Sequence, residues 1–290
     1  MTKKNKYGLA TLAVILTLAG TFASASKETV PTDTTVIGTN NLLLLTDEVN
    51  GETVGDVISK AKLLDAEMNR RHSKAPLYLF LNTPGGSIQA GLELIEALRG
   101  LGRPVNTITT FAASMGFQIV ENLDKRLILD KGTLMSHHAT GQFQGAFGGV
   151  SPNQLQQREH LWYQIVKELD EQTVKRSSGK QTYDSYVKMY DKEVWLTGHE
   201  SVEAGFADAI TKLKCDQSLA GVTVHHVDFL GLDVSFELDN CPINSSPMHL
   251  RVSAPPQTAL SYTQEFYKTV KAQFLSNYAS KHNSAVPLYW

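Results

Sequence analysis

At 290 residues the chain is long enough to bury a sizeable core, as one large domain or two small ones. Its make-up is ordinary for a globular protein, 42% hydrophobic and 19% charged, with a net charge of −2. No basic run builds a phosphate footprint, which excludes nucleic acid as an expected partner.

The first element is a leader. Lys3, Lys4 and Lys6 precede an uncharged, largely apolar stretch from Tyr7 to Ala25 that ends in the small-x-small triplet Ala23–Ala25. This pattern predicts a cleaved signal peptide over residues 1–25. A membrane anchor is the alternative, but a spanning helix wants about 20 predominantly apolar residues, and this run is short and interrupted by threonine and glycine. The expected location is exported, periplasmic or secreted. In that setting the cysteine pair, Cys215 and Cys241, is expected to form a disulfide.

From residue 42 the pattern alternates between short β-type runs and longer helical ones. "LLLLT" (42–46) predicts the first core strand, and 53–72 predicts a helix with Val54, Val57, Ile58, Ala61, Leu64 and Met68 at helical spacing. "LYLFLN" (77–82) is a buried strand, 87–99 a helix, and "VNTIT" (105–109) a third strand leading into "FAASMG" and another helix. "RLILD" (126–130) and "TLMSH" (133–137) are two more strands. Such repetition with short links predicts an α/β fold of parallel strands joined by right-handed crossovers. A Gly-rich piece, 141–149, precedes the longest helical pattern, 152–177, whose stripe holds Leu155, Leu161, Trp162, Ile165, Val166 and Leu169. A short helix at 182–190 and a helix, turn and strand within 195–210 close the body. The remainder differs in texture: both cysteines, β-type runs near 222–238, and a helical tail at 257–279. That tail carries a stripe of Tyr262, Phe266, Val270, Phe274 and Tyr278.

Three stretches converge on chemistry. "NTPGGSIQAG" (82–91) sets a Pro-Gly-Gly turn between a strand and a helix, where free backbone amides suit an oxyanion. "AASMG" (112–116) places Ser114 between a strand and a helix, which presents its Oγ at the C-terminal ends of parallel strands. "LMSHHAT" (134–140) puts His137 and His138 at the end of another strand. Each alone has a plain structural reading as turn, small packing residue or core histidine. The paired histidines 137–138 and 225–226 suggest no metal, because adjacent residues of a strand point to opposite faces.

Taken in order, "LFLNTPGGSIQAG", "FAASMG", "LMSHH" and "WLTGHESVEAGFAD" resemble the proteolytic subunit family of the Clp protease over about residues 40–212. The resemblance implies a ClpP/crotonase-like spiral of ββα units. Residues 141–177 would form the family's handle, which mediates ring-to-ring contact, and 213–290 would be a C-terminal extension. It also implies homo-oligomeric rings with the active sites inside a chamber. Carried over by position, Ser114 is the nucleophile, His137 the general base, and the Gly86 and Met115 N–H groups the oxyanion donors. His138 falls where the family usually has glutamine. The third member is normally an aspartate two residues before an aromatic. Here the aromatic is Trp195 and the position is Glu193, with Asp191 as the alternative. Glutamate also orients an imidazole in some hydrolase triads. Ser87 and Ser136 are expected to have supporting roles only.

The expected function is an exported, ATP-independent serine endopeptidase acting on peptides and unfolded proteins, with no metal or organic cofactor and no ATP-driven unfoldase as partner. The last point rests on the export signal and on the short segment between residue 25 and the first core strand. Three rivals stand beside it: a catalytically weak Clp-like scaffold subunit, a crotonase-type acyl-CoA enzyme, and a signal-peptide-peptidase relative with a lysine base.

Overall fold

A computed structural model describes residues 32–139, 151–244, 246–253 and 264–282. The leader, the Gly-rich piece 141–149 and Tyr262 lie outside the described residues.

The body is a seven-stranded sheet flanked by helices. Its order is β1 (Thr32–Ile37), β7 (Ala209–Cys215), β5 (Arg126–Ser136), β4 (Val105–Ala113), β3 (Leu77–Thr83) and β2 (Leu42–Leu45). All of these pair in parallel, while β6 (Val194–Thr197) adds to β5 in antiparallel fashion. The central strands are buried on both faces and so read as nearly unbroken apolar runs.

Helix α1 (Gly51–Arg70) starts at an Asn50–Thr53 capping box, and Val54, Val57, Ala61, Leu64 and Met68 turn one stripe onto the sheet. α2 (Ile88–Arg99) is capped by Ser87, which accepts the Ala90 N–H; this cap is the role the structure gives Ser87. α3 (Met115–Asn122) follows β4 directly and is buried along nearly its whole length. α4 (Pro152–Arg176), α5 (Tyr183–Tyr190) and α6 (Gly198–Ala204) complete the body, each opened by a capping box.

Four features differ from the pattern reading or refine it. "TDTTVI" is a strand, β1, preceding the one taken as first; its partner lies some 178 positions away, so no local signal marks it. The two runs at 126–130 and 133–137 form one strand, β5, with a register shift against β4 between Thr109 and Phe111. The half before the shift pairs with β7 and the half after it with β6. The α4 stripe is buried only in its second half: Leu169 is 8% exposed, whereas Leu155 and Leu161 are 47% and 60% exposed. Finally, β7 extends to Cys215, just past the expected boundary at 212/213.

The extension forms its own antiparallel sheet of β8 (Val222–Phe229), β9 (Leu232–Asp239) and β10 (Met248–Ser253). Leu230 and Gly231, both at positive φ, turn β8 into β9 as a tight hairpin. α7 (Gln264–His282) covers the sheet, packing Phe274 against Val234 and Phe236. A Cys215–Cys241 disulfide joins the end of β7 to the end of this hairpin, as the cysteine count predicted.

Candidate active site

Ser114 sits between β4 and α3 with φ 54° and ψ −118°. A non-glycine residue held there stores backbone strain on the order of 1–3 kcal/mol. The surroundings impose it: Ser114 N–H donates to Met135 O on the neighbouring strand, and Ser114 O accepts the Gln118 N–H of the new helix. The chain therefore turns sharply from strand to helix and lifts Oγ clear of both. The turn is possible because its neighbours are bare. A Cβ on Gly85 would fall 2.5 Å from Ala113 O, and one on Gly116 would fall 2.7 Å from Thr83 Cγ2.

β5 lies beside β4 with Ala113 opposite Met135, which carries the residue two further on, His137, to the level of Ser114. Its Nε2 is 2.8 Å from Ser114 Oγ. His138 goes elsewhere: its Nε2 meets Asp191 Oδ1 at 2.8 Å, and its ring stands edge-on to Tyr190. The two histidines thus have separate partners. His225 and His226 do too, stacking on Phe236 and meeting Asp233 respectively.

The two expected oxyanion donors follow from backbone pairing. Val49 bridges Gly86 in parallel register, with Val49 N–H donating to Gly85 O and Ser87 N–H donating to Val49 O. That pattern uses the amides on either side of Gly86 and leaves the Gly86 N–H directed away from Val49. Met115 N–H is the first amide of α3 and has no acceptor within the helix. Gly86, Met115, Ser114 and His137 line one cleft, a cavity of about 90 Å³.

Neither expected acid hydrogen-bonds to His137 among the described residues. Glu193, at φ 66°, accepts the Trp195 indole N–H at 3.2 Å, and Trp195 stacks on Phe111. Asp191 is the His138 partner. The structure therefore brings together Ser114, His137, Gly86 and Met115 and leaves the acid apart. Ser136 is buried and bonded to Tyr186 Oη at 2.9 Å, which makes it a support of the strand carrying His137.

Two groups near the serine were missed in the pattern reading. Asp170 of α4 lines the same cleft and accepts the Tyr190 hydroxyl at 2.5 Å. Burial pushes its carboxyl above the usual range, partly offset by the Tyr190 hydrogen bond and by nearby His138. Its position was readable: Val166, Leu169 and Thr173 stand at helical spacing around it, so an acid lies on the inward face. The other is Glu121 of α3, fully buried beside Arg126, with Oε2 2.6 Å from the guanidinium and Oε1 without a partner among the described residues. Arg126 also binds Asp208 and the carbonyls of Gly205 and Arg176, tying α3, β5, α4 and the start of β7 together. Burial pushes the Glu121 carboxyl up to about 8.

A strained serine at a strand–helix junction, bonded to a histidine in a cleft also lined by Gly86 and Met115, is the constellation of serine acyl-transfer chemistry. The comparisons with known proteins agree with that class. The family model described as Clp protease matches residues 26–214. The ATP-dependent Clp protease proteolytic subunit of Streptococcus pneumoniae (strain P1031) is 30% identical over 175 residues, 59% of this chain and 84% of that protein. The proteolytic subunits from Streptococcus agalactiae serotype V (strain ATCC BAA-611 / 2603 V/R) and Streptococcus pyogenes serotype M5 (strain Manfredo) are also 30% identical, with the same shares covered. The chain belongs to the Clp protease family.

Proposed function

We propose that this protein is an exported serine endopeptidase that hydrolyses peptides and unfolded proteins through an acyl-enzyme. The observation that carries this reading is the 2.8 Å contact between His137 Nε2 and Ser114 Oγ, in a cleft also lined by Gly86 and Met115. His137 takes the hydroxyl proton as Oγ bonds to the scissile carbonyl carbon, and the carbonyl oxygen becomes an oxyanion held by the Gly86 and Met115 amides. The imidazolium then gives that proton to the departing amine as the C–N bond breaks. Water, deprotonated by His137, releases the acid and restores Ser114.

Glu193 is the proposed orienting acid, with Asp191 the alternative. Glu193 would have to leave the Trp195 indole to reach His137, and Asp191 would have to leave His138. Family membership and the exposed first half of α4, with Leu155, Leu161 and Tyr163 turned outward, support assembly into a homo-oligomeric ring. Export is supported by the leader pattern of residues 1–25. Independence of ATP follows from export, since a nucleotide-driven unfoldase needs an ATP pool.

The rival reading is a non-catalytic scaffold subunit, and the separation of both acids from His137 is the observation in its favour. Labelling with a fluorophosphonate decides between them. The active enzyme takes the label at Ser114 and loses it in Ser114→Ala; a scaffold subunit is not labelled.

A further inference from the structure

The cleft beside Ser114 has aliphatic walls and one acid. Ile88, Val166 and Leu169 contribute apolar surface, and Asp170 stands among them at only 5% exposure. Its Oδ2 is engaged by the Tyr190 hydroxyl, while Oδ1 has no hydrogen-bond partner among the described residues. Of the other polar side chains there, Ser136 binds Tyr186, and Gln118 Oε1 faces the Thr173 hydroxyl at 3.4 Å. A largely buried carboxylate with one oxygen held and the other open to the cleft suits a cation or a strong donor entering there. No lysine or arginine of the described chain forms an ion pair with it. His138, the nearest basic side chain that acts on it among the described residues, is itself held by Asp191.

We infer that Asp170 is a specificity-determining residue of the proposed peptidase, and that the cleft takes a basic side chain, lysine or arginine, from the substrate residue preceding the cut. The fit is chemical. A long aliphatic stem lies against Ile88, Val166 and Leu169 while its cationic head reaches Asp170 Oδ1. A leucine-type side chain would satisfy the walls and leave the buried carboxylate unpaired, which is the costlier arrangement. Tyr190 fixes the carboxylate by its hydrogen bond and is braced edge-on by Tyr186 and His138.

The inference rests on the serine-peptidase reading, so its test begins with a probe that ignores the cleft. The purified full chain is treated with a small fluorophosphonate; absence of label at Ser114 overturns that reading and this inference together. Two diphenyl phosphonates are then compared, one with a lysine-type and one with a leucine-type side chain. In each, Ser114 Oγ bonds to phosphorus as a P–O(phenyl) bond breaks, and the Oγ proton passes to His137 and on to the departing phenoxide, which leaves as phenol. The lysine-type reagent should inactivate faster by on the order of 10–100-fold, the range of a hydrogen bond to a charged group. Asp170→Asn keeps an acceptor for Tyr190 and should lower that ratio at least about tenfold; Asp170→Leu should invert it. Because the ratio is read and not either rate, a general weakening of the site cancels. Label at Ser114 with faster reaction of the leucine-type reagent, or an unchanged ratio in Asp170→Asn, would overturn the assignment of Asp170 while leaving the peptidase reading intact.

Discussion

At the residue scale the site divides one job between neighbours of identical chemistry. His137 and His138 differ only in which way they leave the end of β5, yet one meets Ser114 and the other Asp191. Ser114→Ala should abolish cleavage of a denatured substrate while leaving the fold intact, since removing a hydroxyl opens almost no space. His137→Ala should cost at least the roughly 10²–10⁴-fold that general-base catalysis supplies. His138→Ala should cost far less, because its partner is an exposed carboxylate. Steady-state turnover of the three variants checks the order, and a larger loss at His138 would reverse the assignment. The acids are separated in the same way. Glu193→Gln should lower turnover more than Asp191→Asn, with both variants still folded by circular dichroism. Small and equal effects would mean that the site runs as a Ser-His pair.

At the element scale the helix with the proposed nucleophile at its start carries a buried acid near its end. Glu121 holds its proton more tightly in the folded protein than in the unfolded chain, because burial outweighs the attraction of Arg126. The folded state therefore binds more protons across the window from 4.5, the ordinary value, to about 8. Stability from this group is fully present below that window and falls as pH rises through it. Glu121→Gln removes the titration while keeping an acceptor for Arg126. The urea midpoint of the wild type should thus fall more steeply between pH 5 and pH 8.5 than that of the variant; parallel curves would refute the shift. Asp208, held below the usual carboxylate range by Arg126 despite partial burial, titrates beneath this window and does not interfere. The extension has its own tie. The disulfide closes a loop of sequence separation 26, worth about 3–4 kcal/mol on the chain-entropy estimate. Replacing Cys215 and Cys241 by serine should lower the unfolding midpoint of the extension sheet while fluorophosphonate labelling at Ser114 persists.

At the scale of the whole molecule, the question is what feeds the site. The relatives are the proteolytic parts of ATP-dependent proteases. The family match covers residues 26–214, so the leader pattern of residues 1–25 and most of the C-terminal sheet and helix lie outside it. Thr32–Ile37, within the segment that the sequence left unassigned before the core, is a strand paired with β7. The expected outcome is that purified protein digests reduced casein equally well with and without ATP and spares tightly folded proteins. Strict dependence on nucleotide would remove the proposal of independent action.

Local pattern was enough for most of the body, because its determinants are local. Helical spacing from Val54 to Met68, the buried run at 77–82 and the Pro-Gly-Gly turn each depend on residues within a few positions of one another. The serine and histidine were legible for a related reason: each stands at the end of an apolar strand, where parallel sheets expose side chains. Adjacent β4 and β5 then had to align them. Other features were decided by tertiary contact alone. β1 exists only because β7 is there to pair with it, 178 residues away, so a polar, threonine-rich run became a strand. Glu193 is a local case instead: the Trp195 indole two residues on donates to its carboxylate, a contact that the spacing allowed but did not announce. The inward face of Asp170 was readable from its helical spacing to Val166 and Thr173, but its desolvation was not, until α4 was laid across the cleft. Packing then desolvates its carboxylate, and that step, a property of the assembled layers and not of the helix, is what makes it a candidate for reading substrate.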